Sequence, residues 1–115
     1  MNIVKEKSTE LGILINAICK NSKTKVSANV INQLHRSGMA VGAMIREAEF
    51  AESKKDFIHK MSIAQKEVNE SLYWIDILLS QENENHNEII QAQSLAKDIF
   101  FILLALNRKA KKGTN

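Results

Sequence analysis

An unbroken apolar stripe constrains this chain more than any other feature. Phe57, Met61, Ala64, Val68, Leu72, Ile75 and Leu79 recur at steps of three and four, the spacing that aligns side chains along one face of an α-helix. Ser53-Lys54-Lys55-Asp56 precedes the stripe as a capping-box variant. The serine hydroxyl can accept from the Asp56 backbone N–H while the carboxylate reaches back. Asp56 also stands where the helix dipole favours an anion. The spacing predicts a helix from Lys54 to Ser80, roughly 40 Å long at 1.5 Å per residue. In a chain of 115 residues such a helix fits a bundle better than a compact orthogonal fold.

Its partners are written on either side. Phe50, Ala51 and Glu52 end a preceding helix whose stripe is Val30, Leu34, Ser37, Val41, Ile45 and Ala48. Ser37, Gly38 and Gly42 interrupt that stripe with small residues, and each mid-helix glycine costs about 1 kcal/mol relative to alanine. Because the periodicity resumes in phase after Gly42, a continuous helix is expected, with a neighbouring helix approaching closely at Gly38 and Gly42. A kink or early end at Gly38 is the alternative. These two helices form an antiparallel hairpin that cannot bury its apolar stripes alone.

A first helix from Met1 to Lys20 offers Ile3, Val4, Leu11, Leu14, Ile15 and Ile18. A polar connection follows, with Thr24 or Ser27 as cap of the second helix. Gln81 to Asn87 reads as a loop that includes His86. Asn85-His86-Asn87-Glu88 then provides a cap and an acid for a last helix carrying Ile89, Leu95, Ala96, Ile99, Leu103 and Leu106, ending near Lys111 or Lys112. The expectation is all-α: a single domain over residues 1–115, an antiparallel up-down-up-down four-helix bundle with short loops.

Composition agrees. Proline is absent and aromatics make up 5% of the residues, which favours long helices over a β fold. No apolar run approaches the length of a membrane span, and Lys5, Glu6 and Lys7 stand where a signal peptide would be apolar. A single cysteine, Cys19, rules out an internal disulfide and suits a reducing compartment. A cytoplasmic protein without a membrane partner is expected.

An ordered set of residues along the hairpin carries a family resemblance. Arg36-Ser37-Gly38, Gly42-Ala43, Arg46-Glu47-Ala48, the run Ser53-Lys54-Lys55-Asp56-Phe57-Ile58-His59-Lys60-Met61, then Ile63-Ala64, Lys66-Glu67, Glu70 and Tyr73-Trp74-Ile75 closely resemble the bacterial four-helix-bundle proteins of the 23S rRNA intervening-sequence family. The match extends more weakly to the first helix and the length of the last. The chain departs from the family pattern at Ala40, where a hydroxyl residue is usual, and at Met44, where asparagine is usual. The resemblance implies a bundle that assembles into a homo-oligomeric ring, five-membered in characterised relatives. It also implies kinship with accessory proteins of diversity-generating retroelements, which bind nucleic acid and a reverse transcriptase. It implies no established activity.

The residues point to oligomerisation independently. Opposite its core face, the third helix has a second stripe of Ile63, Glu70, Trp74 and Ile77, with Tyr73 beside it. Aromatic residues are enriched at the centres of subunit contacts. The last helix is apolar nearly all round at Ile99-Phe100-Phe101-Ile102-Leu103-Leu104. Ile63, Tyr73, Trp74, Ile77 and Phe100 are therefore the expected oligomer interface; ordinary scattered surface apolarity is the bland alternative.

Charge is uneven. Residues 54–66 carry four lysines against Asp56 alone, whereas Arg108, Lys109, Lys111 and Lys112 end the chain without an acid. Arg36, Arg46, Lys54, Lys55, Lys60 and Lys66 are the candidate RNA- or DNA-binding residues, because such cations give salt-sensitive affinity for phosphates. A net charge of +3 is too modest to establish such a partner, and terminal cations also complement a helix dipole.

Catalytic chemistry finds little support. A di-iron bundle needs two Glu-x-x-His pairs, and the nearest approach, Asp56-Phe57-Ile58-His59, occurs once. Cys19 follows Ile18 on an apolar helix with no partner base. Lys66, Glu67 and Glu70 are acid–base types, but Lys66 and Glu70 also form an ordinary i,i+4 pair. No catalytic residue, metal site or cofactor is expected. The expectation is a non-enzymatic oligomeric protein, either nucleic-acid-binding or ribonucleoprotein-associated, with a protein–protein scaffold as the alternative.

Overall fold

The computed structural model describes residues 1–22, 27–81 and 84–113. Four helices follow one another: α1 (Asn2–Asn21), α2 (Ala28–Glu49), α3 (Lys54–Leu79) and α4 (His86–Lys112). Each packs against its chain neighbours, and α1 closes the ring of helices against α4. The result is an up-down-up-down bundle of 49 × 21 × 20 Å.

Local chemistry sets the helix ends. The Ser53 hydroxyl accepts from Asp56 N at 3.0 Å, and the Asp56 carboxylate accepts from Glu52 N at 3.1 Å. The reciprocal bond of the cap thus falls one residue before the serine. Such a cap stabilises a helix start by about 1 kcal/mol. Ser27 caps α2 by accepting from Asn29 N; the other candidate, Thr24, lies outside the described residues. Asn85 occupies the cap position of α4 with Glu88 in the first turn. His86 is already helical, so the loop is shorter than its polar composition indicated.

α2 runs unbroken through both mid-helix glycines, and its predicted stripe is buried throughout. The compensation at Gly38 is close approach by α1: a Cβ there would meet Ile15, with Cγ2 at 3.0 Å. At Gly42 the nearest atoms belong to Ser8, at 3.5 Å, an ordinary contact.

Three stripes differ from expectation in detail. On α3, Phe57, Leu72 and Leu79 are half-buried, while Glu67, Ser71 and Leu78 join the core. Ser71 and Ser37 explain the rotation, because their hydroxyls meet at 2.9 Å across the α2–α3 seam. Two small side chains let the helices approach there, which buries the Ser71 edge of α3 and leaves Leu72 at the margin. On α1, Ile3 is 64% exposed and Leu14 half-buried, while Ser8 and Gly12 lie inside. On α4, Leu95 and Leu106 are half-buried and Ala92 and Asn107 are buried instead.

The expectation that no run is long enough to span a membrane also needs correction. By length and composition α4 qualifies, and 28% of its most apolar stretch is buried in the bundle. The adjacent Lys97 and Asp98 divide that run in the sequence and hide it from a search for uninterrupted apolar residues.

Candidate nucleic-acid interface

The six candidate cations separate into three groups. Arg36 is captured at the α2–α3 seam. Its Nη1 donates to Glu67 Oε2 at 3.0 Å, its Nη2 donates to Glu70, and its Nε donates to Gln33 Oε1 at 3.1 Å. Burial pulls the Arg36 pKa down, but the hydrogen bonds and charges of Glu67 and Glu70 together outweigh it and raise it. Glu67 is 7% exposed, so the guanidinium compensates a carboxylate that would otherwise be desolvated without a partner. The Trp74 indole N–H donates to Glu70 Oε2 at 3.0 Å. One cation against two carboxylates leaves the seam net negative.

Arg46 and Lys60 lie beside the α2–α3 turn. There a hollow of about 750 Å³ gathers the carboxylates of Glu47, Glu49, Glu52 and Asp56 against Lys5, Arg46 and Lys60. Lys60 Nζ donates to Glu47 at 3.2 Å and lies 4.0 Å from Asp56. The hydrogen bond to Glu47, then the Asp56 charge, raises its pKa. Arg46 donates to Thr9 Oγ1 of α1 at 3.2 Å. Four carboxylates facing three cations make this hollow a poor receptor for phosphate.

Lys54, Lys55 and Lys66 belong elsewhere. Lys54 Nζ donates to the Gly113 carbonyl at 3.0 Å, which joins the start of α3 to the end of α4. Asn107 Nδ2 donates to Gln65 Oε1 at 2.7 Å, and Gln93 donates to Asp76 at 3.2 Å. These three contacts fix an antiparallel register that brings the lysine-rich start of α3 alongside Arg108, Lys109, Lys111 and Lys112. Among the described residues, Lys55, Lys66, Arg108, Lys109 and Lys112 make no ion pair. A cleft of about 350 Å³ opens between the two helices, lined by Ser62, Gln65, Lys66, Asn69, Phe100 and Lys111.

The expected interface residues also divide. Ile63, Trp74 and Ile77 are half-buried on the α2 side of α3, and Tyr73 is 56% exposed with its ring edge-to-face on Trp74 at 4.9 Å. Phe100 sits apart from them, in the α3–α4 cleft. Ile90 and Phe101 of α4 are exposed apolar residues outside the expected interface, and Phe50 at the turn is 85% exposed. Amphipathicity of α4 could have found the first two, since they occupy the face opposite Ile89, Ala96 and Leu103. Ser62, Gln65 and Asn69 carried no sequence signal at all. Among the described residues, no three His, Cys, Asp or Glu side chains converge as metal ligands.

The fold and this surface define a class: a small antiparallel four-helix bundle with one basic end and an apolar outer helix. Residues 1–105 match the 23S rRNA-intervening sequence proteins, and the chain belongs to that family. A solved structure from Bacteroides thetaiotaomicron, a protein with unknown function from the S23 ribosomal protein family, is 34% identical in sequence. It superposes with a TM-score of 0.81 over 90% of this chain and 97% of its own. No curated protein matches the chain.

Proposed function

We propose that this protein is a non-enzymatic, homo-oligomeric accessory protein that binds nucleic acid, with ribosomal RNA the first candidate by family. The observation that carries this reading is the register of α3 against α4. It collects Lys54 and Lys55 with Arg108, Lys109, Lys111 and Lys112 at one end of the bundle, and Lys66 extends this basic surface toward the middle of α3. Cations concentrated on one surface release counterions from a phosphate backbone and give affinity that falls steeply with salt.

The apolar surplus of α4 supports self-association. Ile90 and Phe101 are 44% and 63% exposed, and a contact between unlike faces of identical copies closes into a ring when its rotation allows. Five copies is the ring size that the sequence resemblance implies. A second copy covers this face better than lipid does, because Lys97 and Asp98 lie exposed within the apolar stretch, and each charge costs roughly 2.5–3.5 kcal/mol at the centre of a membrane helix. The scaffold reading rests on Phe50, whose exposure at the turn no helix of the bundle relieves.

Light-scattering mass with a labelled structured RNA tests the reading. The expected result is an integer multiple of 13.0 kDa that holds RNA at roughly 50 mM salt and releases it by about 200 mM. A monomer would refute the assembly, and indifference to RNA at low salt would move the search to protein partners.

A further inference from the structure

The geometry points to the α3–α4 cleft as a receptor for one unpaired nucleotide, so that the ligand is single-stranded nucleic acid rather than a duplex. This inference rests on the nucleic-acid reading above and narrows it to one site.

Size is the first argument. At about 350 Å³ the cleft is an open groove in which one exposed base could lie against the wall, whereas the bases of a duplex are stacked inside the helix and cannot enter a groove between two α-helices. Lining is the second. Phe100 provides an aromatic surface, and its ring stands edge-to-face against Phe101 with centroids 5.5 Å apart. Base–aromatic stacking of this kind is indifferent to sequence, because every base has a π-face. Lys66 of α3 and Lys111 of α4 line the cleft on the C-terminal side of Phe100 along α4, and no carboxylate lines it among the described residues.

The third argument is a buried polar residue whose packing contact also orients a side chain of the cleft. Asn107 is 3% exposed, and its Nδ2 donates to the Met61 carbonyl at 3.1 Å and to Gln65 Oε1 at 2.7 Å. Occupying Gln65 Oε1 fixes the orientation of that amide and leaves its NH2 group as an available donor on a residue that lines the cleft. Ser62, Asn69 and the Gln65 NH2 have no protein partner among the described residues, and all three line the cleft beside Lys66. Such groups suit the edge of an unpaired base, with the lysines on the adjoining phosphates. From Lys66 the basic track continues to Lys55, about 16 Å along α3 at 1.5 Å per residue.

Fluorescence anisotropy on the full chain, with a labelled oligouridylate of about 12 nucleotides and a duplex of equal length, tests the site. Neutralising both cleft lysines (Lys66→Gln with Lys111→Gln) is expected to reduce the slope of log affinity against log salt by about 1.4, at ~0.7 per single-strand phosphate contact. Phe100→Leu keeps an apolar side chain against the core; it is expected to weaken oligouridylate binding about tenfold while leaving the salt slope and duplex binding unchanged. Asn69→Ala, at an exposed position, gives a second reading that does not disturb packing. Equal loss of duplex and single-strand affinity in Phe100→Leu would overturn the cleft, as would a polyglutamate peptide competing as well as the oligonucleotide. If Arg46→Gln with Lys60→Gln abolished binding while the cleft variants retained it, this site would fall and the nucleic-acid reading would stand. A wild-type chain that bound no oligonucleotide would remove both.

Discussion

Gly38→Ala should destabilise the protein although it improves helix propensity. Alanine at an interior position favours a helix by about 1 kcal/mol over glycine. At Gly38, however, the new methyl meets Ile15, with Cγ2 at 3.0 Å, Cγ1 at 3.4 Å and Cδ1 nearer still. Rotating Cδ1 away does not help, because Cγ2 is attached to the same Cβ, and Ile15 is fully buried with no route to solvent. Overpacking of this kind costs about 2–3 kcal/mol once the surrounding core must shift. The net expectation is a loss of about 1–2 kcal/mol, or roughly 4–8 °C in Tm for a chain of this length.

Gly42→Ala is the matched control. Its Cβ would rest 3.5 Å from Ser8, ordinary van der Waals contact, so most of the propensity gain of about 0.5–1 kcal/mol should survive. Urea unfolding at one fixed protein concentration measures both, because assembly makes apparent stability concentration-dependent. Ile15→Val removes Cδ1 and should cost about 1 kcal/mol alone; combined with Gly38→Ala it should cost less than the sum. Stabilisation by Gly38→Ala equal to that of Gly42→Ala would refute the close approach of α1 and α2.

Two further predictions concern titrating groups. The Trp74 indole N–H, with Arg36 beside it, holds the Glu70 carboxyl below its usual range against burial, which pushes it up. The folded state therefore takes up that proton less readily than the unfolded chain. The resulting stability is complete above about pH 4.5 and is lost as pH falls further. Trp74→Phe, which keeps an aromatic ring without the donor, should flatten this acid decline in denaturation series, and an identical profile would exclude the bond. Burial pushes the Cys19 thiol up to about 11 from 9.0, and its Sγ donates to the Ile31 carbonyl at 3.6 Å. About a hundredfold less thiolate than an ordinary cysteine is then present near neutral pH. Iodoacetamide should label the native chain slowly and the urea-unfolded chain fast; equal rates would mean the thiol is open to solvent.

Features governed by neighbours along the chain are legible in the residues themselves. The Ser53 cap, the stripe from Met61 to Ile75 and the passage of α2 through two glycines all follow from residues within one or two turns. What sequence does not show depends on distances between helices. Ser71 and Leu72 are adjacent and 100° apart on α3, and the choice of which is buried rests with Ser37, 34 residues away. Arg36 reads as an outward cation until Glu67 and Glu70 close on it from the next helix. The basic patch is half visible: lysines at the start of α3 and cations at the end of α4 are both evident, but only the register set by Lys54 and Gly113 makes them one surface.

The same register lets α4 serve two surfaces at once. Consecutive residues on a helix diverge by 100°, so Phe100 and Phe101 leave α4 in different directions although their rings meet edge-to-face. Phe100 turns toward α3 and lines the cleft with Lys66 and Lys111, while Phe101 stays 63% exposed on the outer face with Ile90. Self-association through the outer face would therefore leave the cleft open. Repetition around an assembly would then multiply the basic ends into several linked sites. Linkage of that kind raises apparent affinity without any new contact, provided one strand can reach neighbouring copies. A net charge of only +3 on each chain is too small to hold a polyanion strongly by itself. Concentrating cations at one end and repeating that end through self-association is a physical route by which a weakly basic chain could hold a single strand.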